Sequence, residues 1–293
     1  MRDVTFRLRN RPPVRVLNVA LCALFLQSSW AGETPAPAVT MEMAYATLGA
    51  GKTLEALSNF ESIIQKDSQN LEALLGQAMV FSKLKRHPEA FDAYDSLIQK
   101  MPDNAFVWNG RGLAALNMDT YDVALNSFKE ASNKLPNGLH YESLAWTFMC
   151  LGEYEQAAIH AKRANLYYTR DGELTLYPLL IAYFSHHEAG AKSQASQTLD
   201  YLIANLTNED WPYPIIKYLV GHIDASELIS LVQNLSMETE VHAYIALKLR
   251  SQDKPTEAAK HLKWVQGMGE HSLFESILAR SMNKKDSLAL FVK

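Results

Sequence analysis

The sequence has little cysteine, no long apolar run and none of the common catalytic signatures. Its 293 residues hold two cysteines, Cys22 and Cys150. Cys22 sits in an N-terminal segment expected to be removed, so the mature chain keeps Cys150 alone and can form no internal disulfide. Cys150 reads as a small apolar side chain packed on a helix. There is no Gly-x-Ser-x-Gly nucleophile turn. Gly51-Lys52-Thr53 ends like a phosphate loop, but the motif's first glycine would fall at Ala46, and no strand precedes it. It reads instead as a turn between two helices. His186-His187-Glu188 lacks the i, i+4 histidine pair of a helical zinc site and reads as a polar turn. No catalytic residue, metal or cofactor is expected. Removing residues 1–31, with their five arginines and one aspartate, leaves 23 basic against 31 acidic residues, a net of −8. That balance suits nucleic acid poorly, because such binding is driven largely by phosphate neutralisation. A hydrophobic fraction of 48% argues against disorder.

The N-terminus has the order of an export signal. Arg2, Arg7, Arg9, Arg11 and Arg15 precede an apolar run, Val16–Leu26, broken only by Asn18. Ser29-Trp30-Ala31 then supplies a small-x-small cleavage site. Residues 1–31 are expected to be a signal peptide cut after Ala31, giving a periplasmic or secreted protein. An arginine-rich, nearly acid-free segment also fits a mitochondrial presequence; the compact apolar run and the cleavage site favour secretion. The absence of an arginine pair favours the general route over the twin-arginine one. The run falls short of the about 20 residues a spanning helix needs, so no stable membrane insertion is expected after cleavage. Leu21 precedes Cys22 where lipidation needs a small residue. Residues 32–40 are Pro/Ala-rich and read as a spacer.

What the sequence does have is a period. Ala56, Ala90 and Ala124 recur every 34 residues, and Phe60, Tyr94 and Phe128 follow each by four. Ile63, Leu97 and Ala131 come three further on, and Pro102 and Pro136 close the second and third units. Small residues at Ala78 and Gly112, and at Ala90 and Ala124, let two helices approach closely. The aromatic one turn on fills the space between units, and the prolines end the second helix. A fourth unit begins at Gly138 after a one-residue deletion and runs through Gly152, Tyr154 and Ala157.

Trp108, Gly112, Ala124, Phe128, Ala131 and Pro136 resemble the tetratricopeptide repeat (TPR) family, with Arg111 where leucine is usual and Ala115 where tyrosine is usual. The resemblance implies an all-α fold, a right-handed superhelix of antiparallel helix pairs (a TPR α-solenoid) with a C-terminal capping helix. Repeats are expected over 41–170, and looser TPR-like hairpins with a cap over 171–293. Within the latter, helices are expected over 174–185, 192–206, 211–219, 225–233, 238–249 and 256–266. Residues 272–282 are expected to form a polar-faced terminal helix. The layout also resembles bacterial envelope TPR proteins of the NlpI type, without their lipid site. That likeness implies an envelope scaffold that docks hydrolases or proteases, often as a homodimer.

In this family the first helix of each pair lines a concave face. Carried over by register, that face offers Glu72, Leu75, Met79, Ser82 and Lys83, then Phe106, Asn109, Leu113, Leu116 and Asn117. The fourth unit adds Leu139, Glu142, Trp146, Met149 and Cys150. Met79, Lys83, Phe106, Asn109, Leu113, Asn117 and Trp146 are the candidate partner-binding residues, suited to an extended or helical peptide. Phe106 and Gly110 stand where a carboxylate clamp would need Lys and Arg, so that mode is not expected. Arg111 is expected either to pair with Asp92, Asp95 or Glu142, or to meet an acidic partner group. The expected function is a non-catalytic protein–protein interaction scaffold in the bacterial envelope, serving assembly, secretion or cell-wall turnover. The alternative is a polysaccharide-binding accessory protein that stacks sugars on Trp146, Trp211 and nearby tyrosines.

Overall fold

A computed structural model describes residues 39–173, 175–206 and 210–291, the last four as backbone only. The expected leader and most of the spacer lie outside the described residues. Among the described residues there are 15 helices and no strand. The first eight pair off as α1 (Met41–Gly49) with α2 (Thr53–Lys66) and α3 (Leu71–Lys83) with α4 (His87–Lys100). Then come α5 (Ala105–Asn117) with α6 (Tyr121–Lys134), and α7 (Gly138–Leu151) with α8 (Tyr154–Arg170).

Local chemistry sets these boundaries in register. Asn70, Asn104 and Asn137 precede α3, α5 and α7, and each side-chain oxygen accepts a first-turn backbone N–H. Between paired helices the chain turns through a left-handed residue: Gly51, Lys85, Asp119 and Gly152. The spacing of 34, 34 and 33 residues confirms the single deletion before the fourth unit. Lys85 and Asp119 lack glycine's freedom there, and both side chains are tied. Lys85 pairs with Glu270 at 2.8 Å, and Asp119 with Arg280 at 2.9 Å.

The recurring aromatics interlock the units. Phe60, Tyr94 and Phe128 are almost wholly buried. A Cβ added at Gly76 would lie 2.2 Å from the Phe60 ring, and one at Gly110 would lie 2.4 Å from the Tyr94 ring. Each ring therefore presses on a bare stretch of backbone in the next unit. Within its own unit Phe128 is as close to Gly112, at 2.6 Å from the position of an added Cβ. Burying one such ring contributes about 1.5–3 kcal/mol. Burial also raises the Tyr94 phenol to about 12.

The second half continues as α9 (Tyr177–Glu188), α10 (Lys192–Ala204), α11 (Tyr213–Leu219), α12 (Ala225–Ser230), α13 (Leu235–Ser251), α14 (Pro255–Met268) and α15 (Phe274–Phe291). His186, His187 and Glu188 finish α9 instead of forming a turn, and the left-handed break falls at Gly190. The array then closes on itself: α13 packs on α9, and α15 packs on α7, α13 and α14.

This closure corrects the expectation of a polar-faced terminal helix. Ile277, Leu278, Ala279 and Met282 of α15 are buried in the same core as α7. The polar residues that disguise this stripe in the sequence are buried with partners. Glu275 accepts from the Tyr244 hydroxyl at 3.2 Å, Ser276 donates to the Glu270 carbonyl at 2.8 Å, and Ser281 donates to the Cys150 carbonyl at 2.6 Å. Cys150 itself is fully enclosed and its thiol is pushed up to about 12 by burial, so it is an inert packing residue.

Two outcomes follow from this packing. Gly112→Ala should destabilise the protein by about 1–3 kcal/mol through overpacking, although alanine is the better helix former by about 1 kcal/mol. Denaturant midpoints would show it, and Gly112→Ala/Phe128→Leu should recover most of the loss. The Glu270 carboxyl is lowered from 4.5 to about 2, first by the hydrogen bond from Lys85 and then by that from Ser272. Its folded pKa lies below its unfolded one. The contribution is therefore complete above about 4.5 and fades as pH falls toward 2. Thermal midpoints across that window should fall less steeply in Lys85→Ala than in the wild type.

Candidate functional site: the inner face of the array

Helix α1 touches α3, α3 touches α5, and α7 touches α9, whereas α5 and α7 make at most marginal contact. The second helices make no comparable contacts among themselves. Axes that approach on one side make an array curl toward that side. The face lined by α1, α3, α5 and α7 is therefore the inner one.

Exposure along this face falls steadily from the second unit to the fourth. Glu72 and Lys83 of α3 are exposed, and Leu75, Met79 and Ser82 are half-buried. In α5, Phe106 is 45% exposed, Leu113 and Asn117 are half-buried, and Asn109 and Leu116 are buried. In α7, Glu142, Trp146, Met149 and Cys150 are all buried, with only Leu139 half-open. The residues expected along this face thus run from open at one end to buried at the other.

The filler is the chain's own C-terminal helix. Trp146, a candidate partner-binding residue, is 2% exposed and stacks on Phe274 of α15 at 5.7 Å between ring centroids, with the planes 1° from parallel. It cannot present its ring to a partner. Glu142 is likewise committed, accepting from the Tyr168 hydroxyl at 2.9 Å. At the border, the Arg280 guanidinium donates to the Asn117 carbonyl at 3.4 Å. The Asn117 amide turns back onto the Leu113 carbonyl at 2.9 Å. Asn117 therefore marks the edge of the open stretch.

The surviving candidates are Met79 and Lys83 on α3 and Phe106, Asn109 and Leu113 on α5. Met79 leans on the core of the first unit and Leu113 on the main core, so both offer an edge and not a whole side chain. Asn109 is 6% exposed, yet its Oδ1 has no hydrogen-bond partner among the described residues. A buried carboxamide oxygen left this way costs about 1–3 kcal/mol. It is the polar group on this face most in need of a donor.

Two positions in α5 that were open in the sequence are resolved. Arg111 takes the structural option: Nε donates to Asp95 at 2.7 Å, Nη1 donates to Ser127 at 2.8 Å, and the guanidinium lies 4.6 Å from the centre of the Phe91 ring. Gly110 has the Tyr94 ring where its side chain would be. No arginine could stand there without dismantling the joint between units, which removes one member of a carboxylate clamp on packing grounds.

Sequence reasoning missed Phe274, Arg280 and Glu270 as occupants or tethers of this face, because α15 reads as a polar helix far away in the chain. It also missed the asparagine caps, whose 34- and 33-residue spacing was available as a signal. Trp211, the other proposed sugar-stacking residue, is half-buried and lies away from this face, beside α9 and α10.

Residues 41–105 match the model of a tetratricopeptide repeat family. No curated protein matches the chain in sequence. Among solved structures, a tetratricopeptide repeat protein from Parabacteroides merdae is similar with a TM-score of 0.58 at 15% identity, over 83% of this chain and 97% of that one. The protein MamA is similar with a TM-score of 0.52 at 14% identity, over 63% of this chain and 94% of MamA. At these identities the likeness is one of fold. Together with the 34-residue period and the interlocked helix pairs, it shows a tetratricopeptide-repeat fold, with the family's own sequence pattern matched over residues 41–105.

Proposed function

We propose that the protein is a non-catalytic scaffold that binds an extended or helical segment of a partner protein on the open part of its inner face. The observation that carries this reading is Asn109. Its buried, unpartnered Oδ1 lies on the same helix as the exposed Phe106 ring, one turn away. An apolar side chain of the partner covers the ring, and the amide oxygen, enclosed in the free protein, gains a main-chain donor when the face parts slightly on binding. Trp146 has no part in this site, because α15 already covers it. The order of arginine-rich start, apolar run and small-x-small site supports export, and with it a role in the bacterial envelope.

Photo-crosslinking from position 106 in envelope extract should trap a discrete protein partner. Phe106→Ala and Asn109→Ala should each weaken its binding about tenfold or more. Arg111→Leu should leave that affinity unchanged while altering stability, since the guanidinium serves Asp95 and Ser127. Equal capture by wild type and Phe106→Ala would remove the groove from consideration. An acidic C-terminal tail peptide should show no saturable binding in titration. N-terminal sequencing of the mature protein should begin at Gly32; a chain that retains Met1 in the cell would argue against export.

A further inference from the structure

We propose that the cleft between α8, the end of α10 and the turn carrying Trp211 is a second binding site, and that its ligand is a neutral oligosaccharide. The inference does not rest on the peptide groove, which lies on other helices. The cleft has a volume of about 540 Å3, within the range of small-molecule pockets. Its walls include Asn165 and Thr169 of α8, Tyr177 of α9, Tyr201 and Asn205 at the end of α10, and Trp211.

The aromatic part of the wall is held from behind. Glu240 of α13, 8% exposed, accepts from the Trp211 indole N–H at 2.9 Å and from the Tyr177 hydroxyl at 2.8 Å. One buried carboxylate thus fixes two of the rings that line the cleft before any ligand arrives. The third ring, Tyr201, is 50% exposed at the mouth. Its hydroxyl and the Asn165 carboxamide have no hydrogen-bond partner among the described residues. Asn205 donates its Nδ2 to the Tyr201 carbonyl at 2.7 Å, which leaves its oxygen as an acceptor.

The chemistry of this lining selects a ligand class. Among the described residues no lysine or arginine lines this cleft, so a phosphate or carboxylate would find no counter-charge from them. The one carboxylate among the described lining residues, Asp210, already has a partner. A purely apolar ligand would bury amides and hydroxyls without replacing their water. A sugar satisfies both halves: its C–H faces lie on the aromatic rings while its hydroxyls meet the amides. An adjoining cleft of about 380 Å3 shares Asn165, Thr169, Leu179 and Tyr201 and adds Gln197, Thr198 and, as its single charged group among the described residues, Lys162. The combined groove is longer than one sugar ring, which favours an oligosaccharide.

The test is isothermal titration of the whole protein with chitotetraose, cellotetraose and maltotetraose. At least one should bind saturably. Tyr201→Ala and Asn165→Ala, both at the cleft surface, should weaken that binding tenfold or more with thermal midpoints near wild type. Phe106→Ala, on the inner face, should leave it untouched and serves to separate the two sites. The proposal is overturned if none of the three sugars binds, or if both cleft variants bind as wild type does. It is also overturned if Tyr201→Ala removes capture of a protein partner and no sugar competes, because the cleft is then a protein dock.

Discussion

The architecture depends on one contact made repeatedly: an aromatic ring from the second helix of a unit pressed onto bare backbone in the first helix of the next. Phe60 against Gly76 and Tyr94 against Gly110 are two copies of it. The contact sets the distance between units, and with it the curl that makes an inner face. It also limits what that face can hold. The residue at Gly110 cannot be enlarged without opening the joint, so the chemistry of the neighbouring surface must come from Phe106, Asn109 and Leu113. Packing and surface chemistry are therefore coupled along α5, where residues on one side of the helix join units and those on the other line the inner face.

The inner face is divided by the chain itself. Helix α15 lies on α7 with Phe274 over Trp146, and its apolar stripe belongs to the main core. Its first half, Glu275 to Met282, is buried apart from Arg280, which makes that half a fixed part of the fold and not a displaceable stand-in for a partner. What remains for a partner is the stretch over α3 and α5. Asn109 lies near the limit of that stretch, buried deeply enough for its missing donor to matter and close to an exposed ring.

Much of this was legible in the chain. The 34-residue period located the helix pairs, the deletion and the aromatic joints, because each rests on contacts between neighbouring units and so leaves a local trace. The choice between two roles for Arg111 narrowed to named carboxylates, and Asp95 is the one engaged. The fate of Trp146 was not legible. Its exposure depends on a helix more than a hundred residues later, whose buried Glu275, Ser276 and Ser281 carry polar side chains satisfied only in the folded state. A hydropathy pattern counts such residues as solvent-facing. The saccharide reading divided in the same way: Trp146 fell into the core, whereas Trp211 kept a place in a cleft because Glu240 holds its indole.

The ties between Lys85 and Glu270 and between Asp119 and Arg280 span 185 and 161 residues. An open solenoid behaves as a row of units, each sensing only its neighbours, and can gain or lose one at little cost to the rest. This chain has given up that modularity. Inserting or deleting a unit between the second and the last would move the turn residues away from the segment that closes over them. Its length is thus fixed by closure, and its folding must wait for contacts of high sequence separation, more as a globular domain does than as an array.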